Sequence, residues 1–424
     1  MWERFRGLLA DERLPCALVD LPAFDANARH LIGGLGGKRL RIATKSLRCP
    51  ALLERLRDAF PGALSGLMTY SAAESAMLAA AGWRDLLLAY PTARAGDADL
   101  IAAANRDGSC AVVIDDPAHA TVLARAALRA GVVIPVVIEV DLGYRPVRGV
   151  HLGVRRSPLA AVAAVVDLAR TVADTRGLGF AGVMGYEAHI AGLTDHNPFQ
   201  PLMDWPARVL KRLSRPVVER TRADVVAALT AAGLPPRIVN GGGTGSLAWC
   251  AGEAALTEVT AGSGFLAGHL FDYYQGLALA PALYFALQVT RRPTPDIVTC
   301  HGGGYPASGA AGADRLPIPA LPPGLALLPR EGAGEVQMVA ARGEFRDLPG
   351  VPALAKGRLP GLSGAPAVQG RDDRPDLSAG SAQNRSQAAD ALLRGSELAH
   401  LVAVEVREQL LRDPVRFGRS GKDA

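Results

Sequence analysis

Aromatic side chains are scarce: Phe, Trp and Tyr make up 5% of the 424 residues, so any core must be filled by aliphatic groups. The five cysteines, Cys16, Cys49, Cys110, Cys250 and Cys300, are odd in number and form no CxxC pair. That excludes a zinc ribbon and a disulfide framework, and reduced thiols are expected. No apolar run reaches the length of about 18 residues that a membrane helix needs. The N-terminal MWERFRGLLADERLP lacks an apolar stretch with a small-residue cleavage site, which predicts a cytoplasmic protein. Charge of one sign is not concentrated either. Lys and Arg number 46 against 41 Asp and Glu, a net charge of +5. No basic stripe runs through the first four fifths of the chain, so nucleic acid is not an expected partner.

What is abundant is aliphatic, with 49% hydrophobic residues. Along the chain a β-branched run, a turn and an Ala/Leu-rich amphipathic stretch repeat in order. Strands are predicted at 40–45, 66–70, 85–90, 110–115, 135–141, 179–187, 237–240 and 258–261. Helices fall between them, as at 50–60, 71–81, 117–130 and 158–175, several opening on Ser or Pro. Alternating strand and helix signals imply parallel strands with crossover helices, and eight units close a (β/α)8 TIM barrel of about 250 residues. The reading divides the chain into a leader strand and helix (1–31), the barrel (32–280) and a strand-rich β-domain (281–341). A tail (342–424) follows, with one helix at 396–411.

Barrel enzymes carry their chemistry at the C-terminal ends of the strands. RIATKSLRCP (41–50) places Lys45 at the first strand end, where a partly desolvated lysine becomes an amine nucleophile or snorkels to the rim. NGGGTGS (240–246) and AGSGF (261–265) follow strands seven and eight, and such glycines let backbone N–H groups converge on an anion. GYEAHIAG (185–192) offers Tyr186 and His189, the latter able to stack on a flat ring or shuttle a proton. DLGYRPVRGVHLGVRRSP (141–158) brings Arg145, Arg148, Arg155 and Arg156 near the mouth. A lysine, a phosphate cradle and a flat-ring partner together describe pyridoxal phosphate joined to Lys45 as a Schiff base.

From LPCALVDLPAFDANARHL (14–31) through ATKS, GYEAHIAG and NGGGTG to TCHGGGYPASG (299–309), the chain resembles the fold-type III pyridoxal-phosphate enzymes with an alanine racemase-like N-terminal domain. Within them it looks most like the D-threonine aldolase and D-serine dehydratase group. The resemblance implies that Lys45 carries the cofactor and that His189 stacks on its ring. Tyr186 would line the pocket, and Arg156 or Arg155 would approach the ring's phenolic oxygen. Gly242, Gly243, Thr244, Gly262 and Ser263 would hold the phosphate. It implies a homodimeric lyase acting on small D-3-hydroxy amino acids, by retro-aldol cleavage or dehydration, with Lys45 and His189 as the catalytic pair. The alternatives are an amino acid racemase, for which Tyr305 is the one second base in sight, and a non-catalytic pyridoxal-phosphate-binding protein.

The resemblance also implies a divalent metal, Zn or Mn, held on the β-domain by a His with a nearby Asp or Cys. The sequence does not supply it. His400 is the only histidine after His301, and adjacent Cys300 and His301 on a strand point to opposite faces. After GAGEVQMV (332–339) strand signals and the metal histidine end together, and the aromatics thin to Phe345 and Phe417. That pattern predicts a changed reading frame or replaced terminus, an incomplete β-domain and weak or absent metal-dependent activity.

Overall fold

A computed structural model describes residues 2–106, 110–302, 314, 317–322, 324–328, 337–341 and 352–356. The chain divides into two compact units, Val19–Leu283 in one and Met1–Leu18 with Tyr284–Ala424 in the other. The first strand, β1 (Cys16–Val19), pairs with β10 (Leu283–Thr294) of the second unit. Eight parallel strands then close the barrel: β2 (Arg39–Ala43), β3 (Leu64–Thr69), β4 (Leu86–Leu88), β5 (Cys110–Ile114), β6 (Ile134–Glu139), β7 (Leu178–Met184), β8 (Ile238–Gly241) and β9 (Glu258–Ala261). The ring is shut by β2 against β9, with Leu40 opposite Val259.

Every residue of β5 is buried, as expected of a parallel strand covered on both faces. Aliphatic side chains, among them Leu87, Val113, Val137, Ala181 and Met184, fill the barrel interior. An ion pair shares it: Arg41 donates from Nε to Glu258 Oε1 at 2.5 Å, and Asn240 Nδ2 donates to the same oxygen at 2.8 Å. Arg41 Nη1 also reaches the Asp85 carbonyl, which lies where a Cβ on Gly66 (φ +116°) would sit. Only glycine tolerates both that dihedral and that approach.

The second unit is a seven-stranded sheet. Its strands are β1, β10 (Leu283–Thr294), β11 (Ile297–His301), β12 (Ile318–Leu321), β13 (Ala326–Leu327), β14 (Gln337–Ala341) and β15 (Pro352–Lys356), in the order β12-β15-β10-β11-β14-β13 with β1 on β10. Alternation splits β10 between two small cores. Leu287 and Val289 meet Val298 and Cys300, while Tyr284 and Ala286 meet Phe5, Leu9 and Leu321.

Two boundaries differ from the sequence reading. The leader was grouped whole with the β-domain, but the helix Leu21–Gly33 belongs to the barrel unit. Its Asn27, 1% exposed, donates to the carbonyls of Phe265 (3.0 Å) and Ala280 (2.7 Å) and accepts the Ala280 N–H at 2.8 Å. A buried amide so satisfied fixes the helix there. The Asp20 N–H donates to the Ala282 carbonyl at 2.8 Å, clasping the two ends of the barrel chain. The tail, expected to build no sheet, supplies β15, whose Ala355 lies opposite Phe285. Pairing uses the main chain, so PALAK joins a ladder despite its weak strand propensity. The helix expected at 396–411, Tyr305, His400 and most of the tail lie outside the described residues.

Candidate active site

Lys45 lies in the one-turn helix Thr44–Ser46 that follows β2 directly, so its exposed side chain leaves the rim at the C-terminal end. Its Nζ donates to the Tyr90 hydroxyl at 3.3 Å and sits 5.8 Å from that ring's centroid. The Arg156 guanidinium bridges two aromatic faces, 5.9 Å from the Tyr90 ring and 5.4 Å from the Tyr186 ring. Lys45, Tyr90, Arg156 and Tyr186 therefore form a line across the mouth from β2 towards β7. Among the described residues no ring or carboxylate engages Arg155, so Arg156 is the arginine gathered into this line.

Strand β7 stops at Met184, three residues short of the sequence expectation, and GYE leads into the single turn Ala188–Ala191 that carries His189. The imidazole is 6% exposed, and neither ring nitrogen has a hydrogen-bond partner among the described residues. The Tyr144 ring lies nearly parallel to it, at 17° with centroids 6.4 Å apart. Burial chiefly lowers its pKa, with His151 and Arg222 acting the same way against Glu187 and Asp141. His189 is thus neutral near neutral pH.

Behind His189, Glu187 is wholly buried and holds the glycine loop. It accepts from Ser246 Oγ at 2.6 Å, from the Gly242 N–H at 3.3 Å and from Arg222, which also donates to Glu253 at 2.6 Å. Burial opposes the Glu187 charge, yet Arg222 and Ser246 outweigh it and keep the carboxyl below its ordinary range. The sequence reading gave the Gly242 and Gly243 amides to an anion. The structure uses them internally, Gly242 towards Glu187 and Gly243 towards Ser246 Oγ at 3.1 Å.

The glycines act instead through space. A Cβ on Gly243 would come within 3.1 Å of Ala191 and 3.3 Å of Tyr186. One on Gly262 would meet the Ala43 carbonyl at 2.7 Å and Ser46 at 3.1 Å, so this glycine seats β9 beside the turn that carries Lys45. Thr244 Oγ1 accepts the Gly264 N–H at 3.1 Å and ties the two loops together, with Ser263 beside that contact.

Several groups escaped the sequence reading. Tyr90 ends the β4 segment. Glu139 ends β6 and is 5% exposed; burial pushes its pKa up to about 7, with Arg156 opposing and Asp115 and Asp141 adding to the rise. Two residues on, Asp141 accepts from the Gly143 N–H at 2.7 Å and from Arg145, and lies 3.4 Å from His151 Nε2. Acidic residues at alternate positions in IEVD were the available signal. His151 gave none, since a hairpin bridge between Tyr144 and Leu152 brings it to Asp141. The donors found among the described residues do not fit a metal. Among the described residues no group of three or more His, Cys, Asp or Glu could hold one, and on β11 Cys300 is buried while His301 is exposed.

Residues 19–268 match the family model of the alanine racemase N-terminal domain. A D-threonine aldolase of Arthrobacter sp is 26% identical over 303 residues, 70% of this chain and 73% of the relative. A 3-hydroxy-D-aspartate aldolase of Paracoccus denitrificans is 24% identical over 252 residues, and the match spans 59% of that relative's length and of this chain's. The crystal structure of D-threonine aldolase from Filomicrobium marinum superimposes with a TM-score of 0.70 at 23% identity, covering 82% of this chain and 88% of that one. D-threo-3-hydroxyaspartate dehydratase from Delftia sp. HT23 gives 0.66 at 21% identity, covering 82% and 91%. At that identity these structures speak for the fold alone. With more than half of its residues matched by the family model, the chain belongs to the alanine racemase N-terminal domain family.

Proposed function

We propose that the protein is a pyridoxal-phosphate-dependent lyase acting on small D-3-hydroxy amino acids, as the names of its relatives indicate. The observation that carries this reading is His189: a neutral, buried imidazole with both nitrogens unpartnered, set in the mouth that Lys45 also enters. Leaving buried polar atoms unpaired costs about 1–3 kcal/mol each, a cost that a ligand removes. The residues present fit the cofactor. Lys45 is the amine for its aldehyde carbon, His189 is the flat face against its ring, and Arg156 is the cation for its phenolic oxygen. The loops at 243–246 and 262–264, tied together by the Gly264 N–H donated to Thr244 Oγ1, are the segments that would face the phosphate. In this reading Gly242, Gly243 and Gly262 shape the cradle, and the Thr244 and Ser263 segments line it.

When bound, the cofactor supplies an electron sink for charge developing at the substrate's Cα. The protein's own work is positional and protic. Tyr90 and Tyr186 hold Arg156 at the rim, and Glu187 fixes the loop. Lys45 and His189 are the groups placed to handle the proton at Cα. No step is assigned to a metal. By the family resemblance the working form is a cytoplasmic homodimer.

A product assay tests the reading. Incubated with D-threonine, D-3-hydroxyaspartate, D-serine and D- and L-alanine, the protein should release an aldehyde with glycine, or an oxo acid with ammonia. Loss of optical purity on alanine alone would replace the lyase with a racemase. Inert binding would reduce it to a cofactor carrier.

A further inference from the structure

Beyond His189 the loop after β6 carries a second imidazole, His151, with one ring nitrogen unpartnered among the described residues. The segment after β6 folds back as a hairpin: Tyr144 and Leu152 exchange main-chain hydrogen bonds at 2.7 and 2.9 Å. This brings His151 to Asp141, ten residues earlier, with Nε2 at 3.4 and 3.5 Å from the two carboxylate oxygens. Asp141 is itself held, by the Gly143 N–H and by Arg145. The close fit needs glycine on both sides. A Cβ on Gly143 would fall 2.1 Å from His151 Nε2, and one on Gly153 would touch Gly143 at 3.1 Å and His189 Nδ1 at 3.3 Å. The two imidazoles thus lie on either side of one glycine contact.

A carboxylate accepting from one ring nitrogen places the proton there and leaves the other as a lone pair, the logic by which an Asp orients a catalytic His. At His151 the Asp141 carboxylate faces Nε2, an arrangement that favours the tautomer with its proton on Nε2 and its lone pair on Nδ1. That Nδ1 is buried and has no partner among the described residues. The 3.4 Å separation is long for a hydrogen bond, as catalytic contacts often are before substrate tightens them. His189 has its flat face committed to the cofactor ring in the proposed reading, which leaves His151 as the ring with a free basic edge.

We propose that His151, oriented by Asp141, is the general base that takes the proton of the substrate's 3-hydroxyl group, so that the protein follows the retro-aldol branch. The proposal rests on the lyase reading above. The hydroxyl proton passes to Nδ1, and the O–H electron pair becomes the new carbonyl bond of the leaving aldehyde. The Cα–Cβ bond breaks with its electron pair on Cα, where a proton from solvent replaces the lost carbon. His151 then returns its proton to solvent. Dehydration would need a protonated acid at the same hydroxyl, and the tautomer set by Asp141 offers an acceptor instead.

Nitrogen-15 NMR of the histidine rings, in the protein without and with pyridoxal phosphate, should show His151 protonated on Nε2 and not on Nδ1. H151Q should keep the cofactor absorbance and the KM for D-threonine while kcat falls about 100-fold. Imidazole added to H151A should restore part of the rate, a rescue that a purely structural role would not show. D141N should lower kcat in the same direction. An Nδ1–H tautomer, or an active wild type whose H151Q variant turns over unchanged, overturns the proposal alone. A wild type inert on every hydroxy amino acid brings down the lyase reading and the proposal with it.

Discussion

Both units are built on β-sheet, yet they treat polar groups in opposite ways. The barrel takes charge inside and pairs it: Arg41 with Glu258, Arg222 with Glu187 and Glu253, and Lys211 with Asp195 at 2.7 Å. The described cores of the strand unit are two small apolar clusters, and β10 runs out of cover after Val289, its last five residues being exposed. Buried ion pairs contribute little net stability, because desolvation consumes most of the Coulombic gain. What they give is a fixed arrangement, and Glu187, paired with Arg222, stands directly behind the glycine loop. The comparison teaches that the candidate site sits in the unit that buries and pairs its charges.

The sharpest way to break this picture is at Lys45. Lys45→Ala should abolish the visible absorbance of the bound cofactor and any borohydride-reducible adduct. Lys38→Ala, whose amine instead donates to the Leu256 carbonyl at 2.9 Å, should leave both intact. An adduct surviving in the Lys45 variant would move the site elsewhere.

The next effect is on stability. Arg222→Met leaves Glu187 and Glu253 buried without their cation and should cost about 3–5 kcal/mol in denaturant unfolding. Cys300→Ala, in the apolar core of the other unit, should cost about 1 kcal/mol and leave cofactor binding alone. Equal losses would erase the contrast between the units.

The smallest effect is one of pH. Glu139 has its pKa raised above the unfolded value to about 7. The unfolded chain therefore gives up this proton first as pH rises, and the associated stability is full below about pH 4.5 and lost on approaching neutrality. Glu139→Gln should flatten the fall in unfolding midpoint between pH 5 and pH 8, a window set by the two values. An unaltered slope would mean that another group dominates the titration.

The barrel was legible because its strands announce themselves locally: LLL and CAVVI are continuous apolar runs bounded by turns. Lys45 and His189 were legible because they stand just past such runs. Their neighbours were not. Tyr90 and Arg156 meet Lys45 and Tyr186 only once separate strands have closed into a ring, and nothing in RRSP distinguishes Arg155 from Arg156. The partners of the Gly242 and Gly243 amides were not legible for a related reason. A glycine-rich loop signals close approach, but not whether a ligand or a carboxylate such as Glu187 makes it. β15 was invisible because main-chain pairing leaves little trace in side-chain pattern.

The clasp between Asp20 and Ala282 has a bearing on the order of folding. To the strand unit, the entire barrel is a connection of roughly 260 residues between β1 and β10. Left unstructured, a loop of that length would cost about 5 kcal/mol to close. Once the barrel is folded its two ends are already neighbours, and β1 finds β10 as though joined by a short turn. Folding the barrel first spares the sheet that cost, so a barrel variant slow to close is expected to delay a sheet whose own sequence is untouched.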